Sequence, residues 1–374
     1  MIAFAPPCID QKEISTVVRV LKSGWLTMGH VTHDFEDRFA RYVGAKHAVA
    51  VNSCTSGLFL SLIVSGIKPG DEVITSPFTF AATANVVHQL GAKPVFVDID
   101  RETFNLDPRK VATKITSRTK AIIPVHYGGQ PCDLCAIDHL AKDYKLLVIE
   151  DAAHALGASY EGQKIGSRNN LTCFSFYVTK PLTTGEGGMI TTSDEKLAMR
   201  LRTLRLHGIS HDAWKRYDGT GHWYYELREA GFKMNTTDLN AAIGLAQLPK
   251  LDGFTARRER LFKAYNEAFA DVEGVITPTV RPNVQSSYHL YPLLLKKKKR
   301  AAVIHALQQK GIATSVHFIP LHLQPFYQQA YGYRKGDFPE AEWVYEREIS
   351  LPIYPQLDKK SLRHIIDSVK ELVA

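Results

Sequence analysis

Lys180 closes the apolar run LTCFSFYVTK and is followed at once by Pro181 and the turn TTGEGG. A lysine carried by a buried strand into a glycine-rich turn can lose enough hydration to become a neutral nucleophile. Such an amine forms Schiff bases with aldehydes. The position also suits a lysine that stretches from a strand end to water. Asp151 follows LLVIE, with His154 close behind it. A carboxylate at the end of a buried strand needs something positive: a helix end, a local arginine or the cation of a bound cofactor. Thr55 and Ser56 follow the strand-like AKHAVAVNS, where a helix begins. The free N–H groups and positive end of a helix there would bind phosphate. Taken alone, helix capping accounts for both residues as well.

These residues fall at the ends of short apolar runs. From about residue 44 to 205 such runs (AKHAVAVNS, DEVITS, KPVFVDID, KAIIPVHYGG, KLLVIEDAAH, LTCFSFYVTK, GGMITTS) alternate with helix-like segments. Alternation of this kind predicts an α/β fold whose large, mostly parallel sheet is sandwiched by helices. Ligands of such sheets sit beyond the carboxyl ends of the strands. Near residues 230–250 the pattern changes to a long helical stretch, interrupted at Pro249. Strand-like YHLYPLLL and ATSVHF follow, then an amphipathic terminal helix over 359–373. The expected organisation is a large domain, 1–250, and a smaller C-terminal α/β domain, 251–374.

The chain has 374 residues, 45% hydrophobic and 22% charged, which excludes disorder, collagen-like repeats and a coiled coil. Its longest nearly uninterrupted apolar stretch, LFLSLIV, is far short of the roughly 20 residues that span a bilayer. MIAFAPPCIDQKEI lacks the pattern of a secretory signal, and five cysteines suit a reducing cytoplasm. The formal net charge of +8 favours phosphorylated partners. The basic block Lys296–Arg300 reads as a solvated turn without interleaved stacking aromatics, so nucleic acid is not expected. Cys132 and Cys135 have CxxC spacing but no second pair, and the histidines are scattered without HExxH; no metal is expected.

The fragments NSCTSGLFLSL, SPFTFAATANVV, VIEDAAHALGASYEG, FSFYVTKPLTTGEGG and GFKMNTTDLNAAIGLAQL, in this order, resemble the DegT family of nucleotide-sugar aminotransferases. The resemblance extends from SGWLTMG to SVHFIPLHLQPFY. It implies the type I fold of pyridoxal-phosphate (PLP) transferases and a homodimer with shared active sites. Lys180 matches the lysine that joins the cofactor aldehyde and later moves a proton. Asp151 matches the carboxylate facing the pyridine nitrogen. His154 matches a residue beside the phenolic oxygen, and Phe80 the aromatic that stacks on the ring. Thr55, Ser56 and Ser175 match phosphate ligands, and Asn235 a residue that reaches the phosphate from the second subunit. Trp25 and His317 lie in segments where relatives approach the sugar.

The activity implied is a cytoplasmic transfer of an amino group from L-glutamate to a nucleotide-linked keto-deoxysugar, as in making cell-surface polysaccharide. The tetrad NTTD at 235–238 fits the subset that aminates C4. Departures from the family are Tyr177 where histidine is frequent, Thr237 where arginine is frequent, and Met28 and His30 near the N-terminus. Two alternatives stand beside this reading: amination at C3, and a PLP- or sugar-sensing regulator with little turnover. A relative that dehydrates the sugar would carry histidine in place of Lys180.

Overall fold

The computed structural model describes residues 1–209 and 225–373. Two helices, α1 (Gln11–Ser23) and α2 (His30–Val43), precede the sheet. Asp10 and Glu13 form a reciprocal cap at the start of α1, and Gly24 ends it at φ 73°, a left-handed turn glycine adopts without strain. Then come β1 (His47–Val51), α3 (Cys54–Val64), β2 (Glu72–Thr75), α4 (Ala81–Gln89) and β3 (Lys93–Phe96). The short α5 (Pro108–Val111), β4 (Thr119–Ile123), α6 (Leu134–Tyr144) and β5 (Leu147–Asp151) continue the alternation. A small hairpin, β6 (Ser159–Tyr160) and β7 (Gln163–Lys164), leads to β8 (Leu171–Ser175), β9 (Gly188–Thr192) and α7 (Glu195–Leu204).

The main sheet has seven strands in the order β1-β9-β8-β5-β4-β2-β3. Only β9 runs against its neighbours; the other pairings are parallel. Successive strand side chains point to opposite faces. Ile122, Phe174 and Met189 therefore pack with Phe35 and Phe39 of α2 on one face. Their neighbours Ile123, Cys173 and Ile190 pack with Leu58 and Leu62 of α3 on the other. Burial on both faces is why these strands read as continuous apolar runs.

Two further helices, α8 (Asp238–Gln247) and α9 (Leu251–Phe269), are separated by a 3-10 turn at Leu248–Lys250, which contains Pro249. The remaining elements are β10 (Val275–Ile276), β11 (Val284–Gln285), β12 (Tyr291–Leu295), α10 (Arg300–Gln309), α11 (Pro325–Tyr331), α12 (Pro339–Arg347), β13 (Glu348–Leu351) and α13 (Lys359–Val373). A small antiparallel sheet, β10-β12-β13, packs around Tyr265, Phe269, Tyr291, Leu307 and Ile365. The segment ATSVHF does not form the expected strand. It makes one bridge, Ser315 to Ser350, and then leaves the sheet edge, which carries His317 toward the main sheet.

A third aromatic cluster, with Phe78, Phe96, Tyr127, Leu294 and Phe338, fills the seam between the two sheets. The first residues join the far side of this seam. Ile2 donates to the Gly311 carbonyl and accepts from the Ala313 N–H, and Phe4 stacks on His317 with ring centroids 5.6 Å apart. Among the described residues no helix is long and apolar enough to cross a membrane.

Candidate active site

The carboxyl ends of β1, β5 and β8 open on a cavity of about 460 Å³, closed from the other side by His317 and Phe318. Thr55, Phe80, Asp151, His154, Ser175, Lys180 and His317 all line it. Ser56, Asn235 and Trp25 do not.

Lys180 lies beyond the strand that was expected to end with it. β8 stops at Ser175, opposite Gly188 of β9, and Phe176 and Gly187 make the last backbone bond before the chain turns. The lysine amine thus hangs from a turn inside the cavity. Desolvation brings its pKa down to about 8, opposed by the negative charge of Asp151. At neutral pH about a tenth of such amines are neutral, far more than for a solvated lysine.

Asp151 is buried at the end of β5. Its Oδ2 accepts from Thr83 Oγ1 at 2.7 Å and its Oδ1 from the Ala153 N–H at 3.1 Å. Burial raises its pKa; the Thr83 and Ala153 hydrogen bonds and the Lys180 charge pull the other way. Among the described residues no arginine or lysine forms an ion pair with it. Of the three partners open at the outset, the local arginine is thereby removed. A buried carboxylate held by neutral donors suits a cationic N–H brought in by a ligand.

His154 is buried with Nδ1 accepting from the Gly128 N–H at 3.2 Å, so the ring proton sits on Nε2. Burial, then the Lys180 charge, holds its pKa well below the usual histidine value. The ring is a neutral hydrogen-bond donor in this wall. Phe80 caps the start of α4 and is 64% exposed, an unusual setting for phenylalanine that a flat ligand would cover.

At the opposite end, α3 points its N-terminus at the cavity. Ser53 caps it by accepting from the Ser56 N–H, and Thr55 stands in its first turn. Gly188 makes this approach feasible, since a Cβ there would lie 2.5 Å from the Ser53 carbonyl carbon. Ser56 donates its hydroxyl to Asn52 Oδ1 at 2.6 Å, which leaves Ser53, overlooked in the sequence, on the cavity wall instead. Ser175 Oγ accepts from the Tyr177 N–H at 3.3 Å and keeps its own proton to give. The donors and the helix end suit a phosphate, the carboxylate a ring N–H, the amine an aldehyde. The residues present fit PLP.

Asn235 follows Met234, whose carbonyl accepts from the Asn52 N–H, and its Oδ1 is buried without a partner. Trp25 sits between α1 and α2, its Nε1 donating to the Met28 carbonyl at 3.3 Å. The tetrad NTTD has local work of its own. Thr237 caps α8, and Asp238 accepts from Gly29, Thr32 and Val31, tying α2 to α8. Thr83 also escaped the sequence reading; its spacing of four from Thr79, one helical turn, was the available signal. Cys132 is buried, Cys135 exposed, and among the described residues no group of three or more His, Cys, Asp or Glu could hold a metal.

The model of the DegT/DnrJ/EryC1/StrS aminotransferase family matches residues 7–370. The protein MJ1066 of Methanocaldococcus jannaschii is 55% identical over 100% of this chain and 98% of its own. The spore coat polysaccharide biosynthesis protein SpsC of Bacillus subtilis is 50% identical over 99% of this chain and 96% of its own. Among solved structures, Spr1654 of Streptococcus pneumoniae, named as a sugar aminotransferase, superposes in its PMP form with a TM-score of 0.94. It is 34% identical and covers 100% of both chains. The same protein is also solved in a PLP form.

Proposed function

This chain belongs to the DegT/DnrJ/EryC1/StrS aminotransferase family, and from that premise we propose that it is a PLP-dependent aminotransferase of nucleotide-linked keto-deoxysugars. L-Glutamate is the donor and C4 of the sugar the acceptor in this reading. The observation that carries it is the pairing, in one cavity, of a lysine whose pKa is brought down to about 8 with a buried carboxylate that forms no ion pair among the described residues.

Lys180 would hold the cofactor's aldehyde carbon, Asp151 its ring nitrogen and His154 Nε2–H its phenolic oxygen. Phe80 would cover the ring face. Thr55, Ser175 and Ser53, in place of the expected Ser56, would hold the phosphate, with Asn235 arriving from a second subunit. When bound, the cofactor supplies an electron sink for the carbanion left by loss of the donor's α proton. Once the donor amine has displaced it, Lys180 Nζ would take that proton and deliver it to the carbon Lys180 had held, which a neutral amine with a pKa near the working pH can do in both directions. Asp151 would keep a positive N–H opposite itself, its carboxylate held in place by Thr83 and the Ala153 N–H. His154 orients without adding charge.

A sugar acceptor is supported by the name of the spore-coat relative and by that of Spr1654. The basic balance of the chain suits a diphosphate-linked substrate, and NTTD supports C4. The homodimer belongs to the same reading, in which Asn235, outside the cavity of its own chain, serves the partner's. Five free cysteines support a cytoplasmic site of action. The division at residue 250 belongs to the same reading, and is supported by the seven-stranded sheet before it and by the β10-β12-β13 sheet with its own core after it, although β11 crosses to pair with β6.

The test begins with an absorbance scan of PLP-loaded protein, in which borohydride should bleach the visible band and Lys180→Ala should lack it. Amination of UDP- or dTDP-linked 4-keto-6-deoxyhexoses by L-glutamate is then read by mass spectrometry. Cofactor binding without amination of any sugar offered would refute the substrate class.

A further inference from the structure

Three polar groups behind the cavity wall form a chain. His317 Nδ1 lies 2.8 Å from Ser350 Oγ, and Ser350 Oγ lies 2.5 Å from Glu348 Oε1. The other carboxyl oxygen, Oε2, accepts from the His317 backbone N–H at 2.9 Å. Glu348 and Ser350 are fully buried in β13, whereas His317 lines the cavity with Lys180. Among the described residues, no protein group bonds to His317 Nε2.

A hydroxyl has one hydrogen and can give it one way only. With Glu348 ionised, Ser350 donates to the carboxylate, so Nδ1 carries the ring proton and Nε2 presents a lone pair. With Glu348 protonated, its O–H donates to Ser350, the serine hydrogen turns to Nδ1, and Nε2 carries the proton. Passing between the states moves the Glu348 proton to Ser350 Oγ and the serine proton to Nδ1, while the Nε2 proton leaves at the cavity. One proton is lost and the imidazole stays neutral throughout.

We propose that Glu348 and Ser350 are positioning residues: through a single hydroxyl they decide which nitrogen of His317 carries the proton, and so whether His317 offers a sugar oxygen a donor or an acceptor. The proposal rests on the sugar-aminotransferase reading for its substrate, though not for its geometry. The surroundings agree with it. Burial raises Glu348 to about 8, opposed by hydrogen bonds from Ser350 and His317 and by the charge of Arg300 at the start of α10. Tyr127 also faces it, donating its hydroxyl to the His317 carbonyl at 2.5 Å. Burial and the Lys180 charge lower His317 to about 4, and His154 and His289 stand beyond it. The titrating member of the chain near neutrality is therefore the carboxyl group, two hydrogen bonds from the His317 ring.

The experiment is nitrogen NMR of PLP-loaded protein labelled with [15N]histidine, the His317 signals being assigned by their loss in His317→Gln. On passing through the Glu348 value of about 8, the Nδ1 and Nε2 resonances should exchange character in the wild type. Glu348→Gln should hold the low-pH pattern at every pH, and Ser350→Ala should uncouple the ring from pH. An unchanged tautomer in the wild type, or an exchange that survives in Glu348→Gln, overturns the proposal. Should Glu348→Gln fail to fold, Ser350→Ala against Ser350→Thr decides: only threonine should restore the exchange. A kinetic arm uses a UDP-linked 4-keto-6-deoxyhexose. Ser350→Ala should lower kcat/KM about tenfold, with threonine recovering most of it. No turnover of that sugar by the wild type would count against the substrate reading, while the NMR result still decides the chain.

Discussion

Thr83 donates its hydroxyl to Asp151 across 2.7 Å, and it does so from α4, the helix whose cap residue is Phe80. The ring cover and the clamp on the ring-facing carboxylate are thus set by one rigid element. Thr83→Val keeps the shape and removes the donor. Asp151, already raised by burial, should rise further and hold a cationic N–H less well. We expect PLP affinity to fall about tenfold, the worth of one hydrogen bond to a charged group, with Thr83→Ser recovering it. Titration of apo protein with PLP measures this; equal affinities for valine and threonine would remove the clamp.

Lys180 in its buried setting opposes folding at neutral pH. Its folded pKa of about 8 lies below the unfolded value, so the unfolded chain binds more protons between the two and stability rises with pH across that window. Lys180→Met should therefore stabilise apo protein near pH 7. Water entering the cavity reduces the gain to roughly 1 kcal/mol, about 2 °C in Tm. The same variant should lose activity by about a thousandfold or more. Thermal melts below and above the lysine pKa check the sign.

Phe80 is an inexpensive residue to change for the fold and a consequential one for the cofactor. With 64% of it exposed, truncation to alanine should leave Tm within about 1 °C. Loss of the stacking face should speed PLP release several-fold, matching about 1 kcal/mol. Fluorescence-detected release, compared for alanine and tyrosine at this position, distinguishes stacking from bulk.

Glu36 and Arg205 form a buried ion pair that grips Ala50 of β1 from both sides, the carboxylate accepting its N–H at 2.8 Å and the guanidinium bonding its carbonyl at 2.6 Å. Burial alone would raise Glu36, yet the Arg205 charge overrides it and the pKa falls to about 2. The contribution is present above the ordinary carboxylate range and is lost only as pH falls through that low value. Glu36→Ala leaves Arg205 buried and unpaired and should cost about 3–5 kcal/mol in urea unfolding.

The strands were legible in the sequence because both faces of the sheet are covered, so each strand had to be apolar throughout. Asp151, His154 and Lys180 stood out because polar groups interrupt that rule at strand ends. What escaped notice has a common cause: side chains whose role depends on a distant element. Thr83 looks like any helical threonine until β5 is placed beside it. Ser53 rather than Ser56 reaches the cavity because the helix starts at Cys54, ahead of the run TSGLFL, with Ser53 as its cap, a boundary that capping geometry decides. Glu348 and Ser350 are alternate residues of an ordinary strand, and only the departure of the His317 segment from the sheet edge gives them a partner.

Ile2 and Phe4 find their partners at Gly311, Ala313 and His317. During translation these residues must wait, unsatisfied, until the ribosome has threaded out about three hundred others. The sheet around Lys180 can assemble while synthesis continues, but its far wall cannot close until residues 2–4 meet the segment at 311–317. A nascent chain stalled short of that point would hold the lysine and the carboxylate open to solvent, and the arrival of the His317 segment becomes the step that completes the chamber.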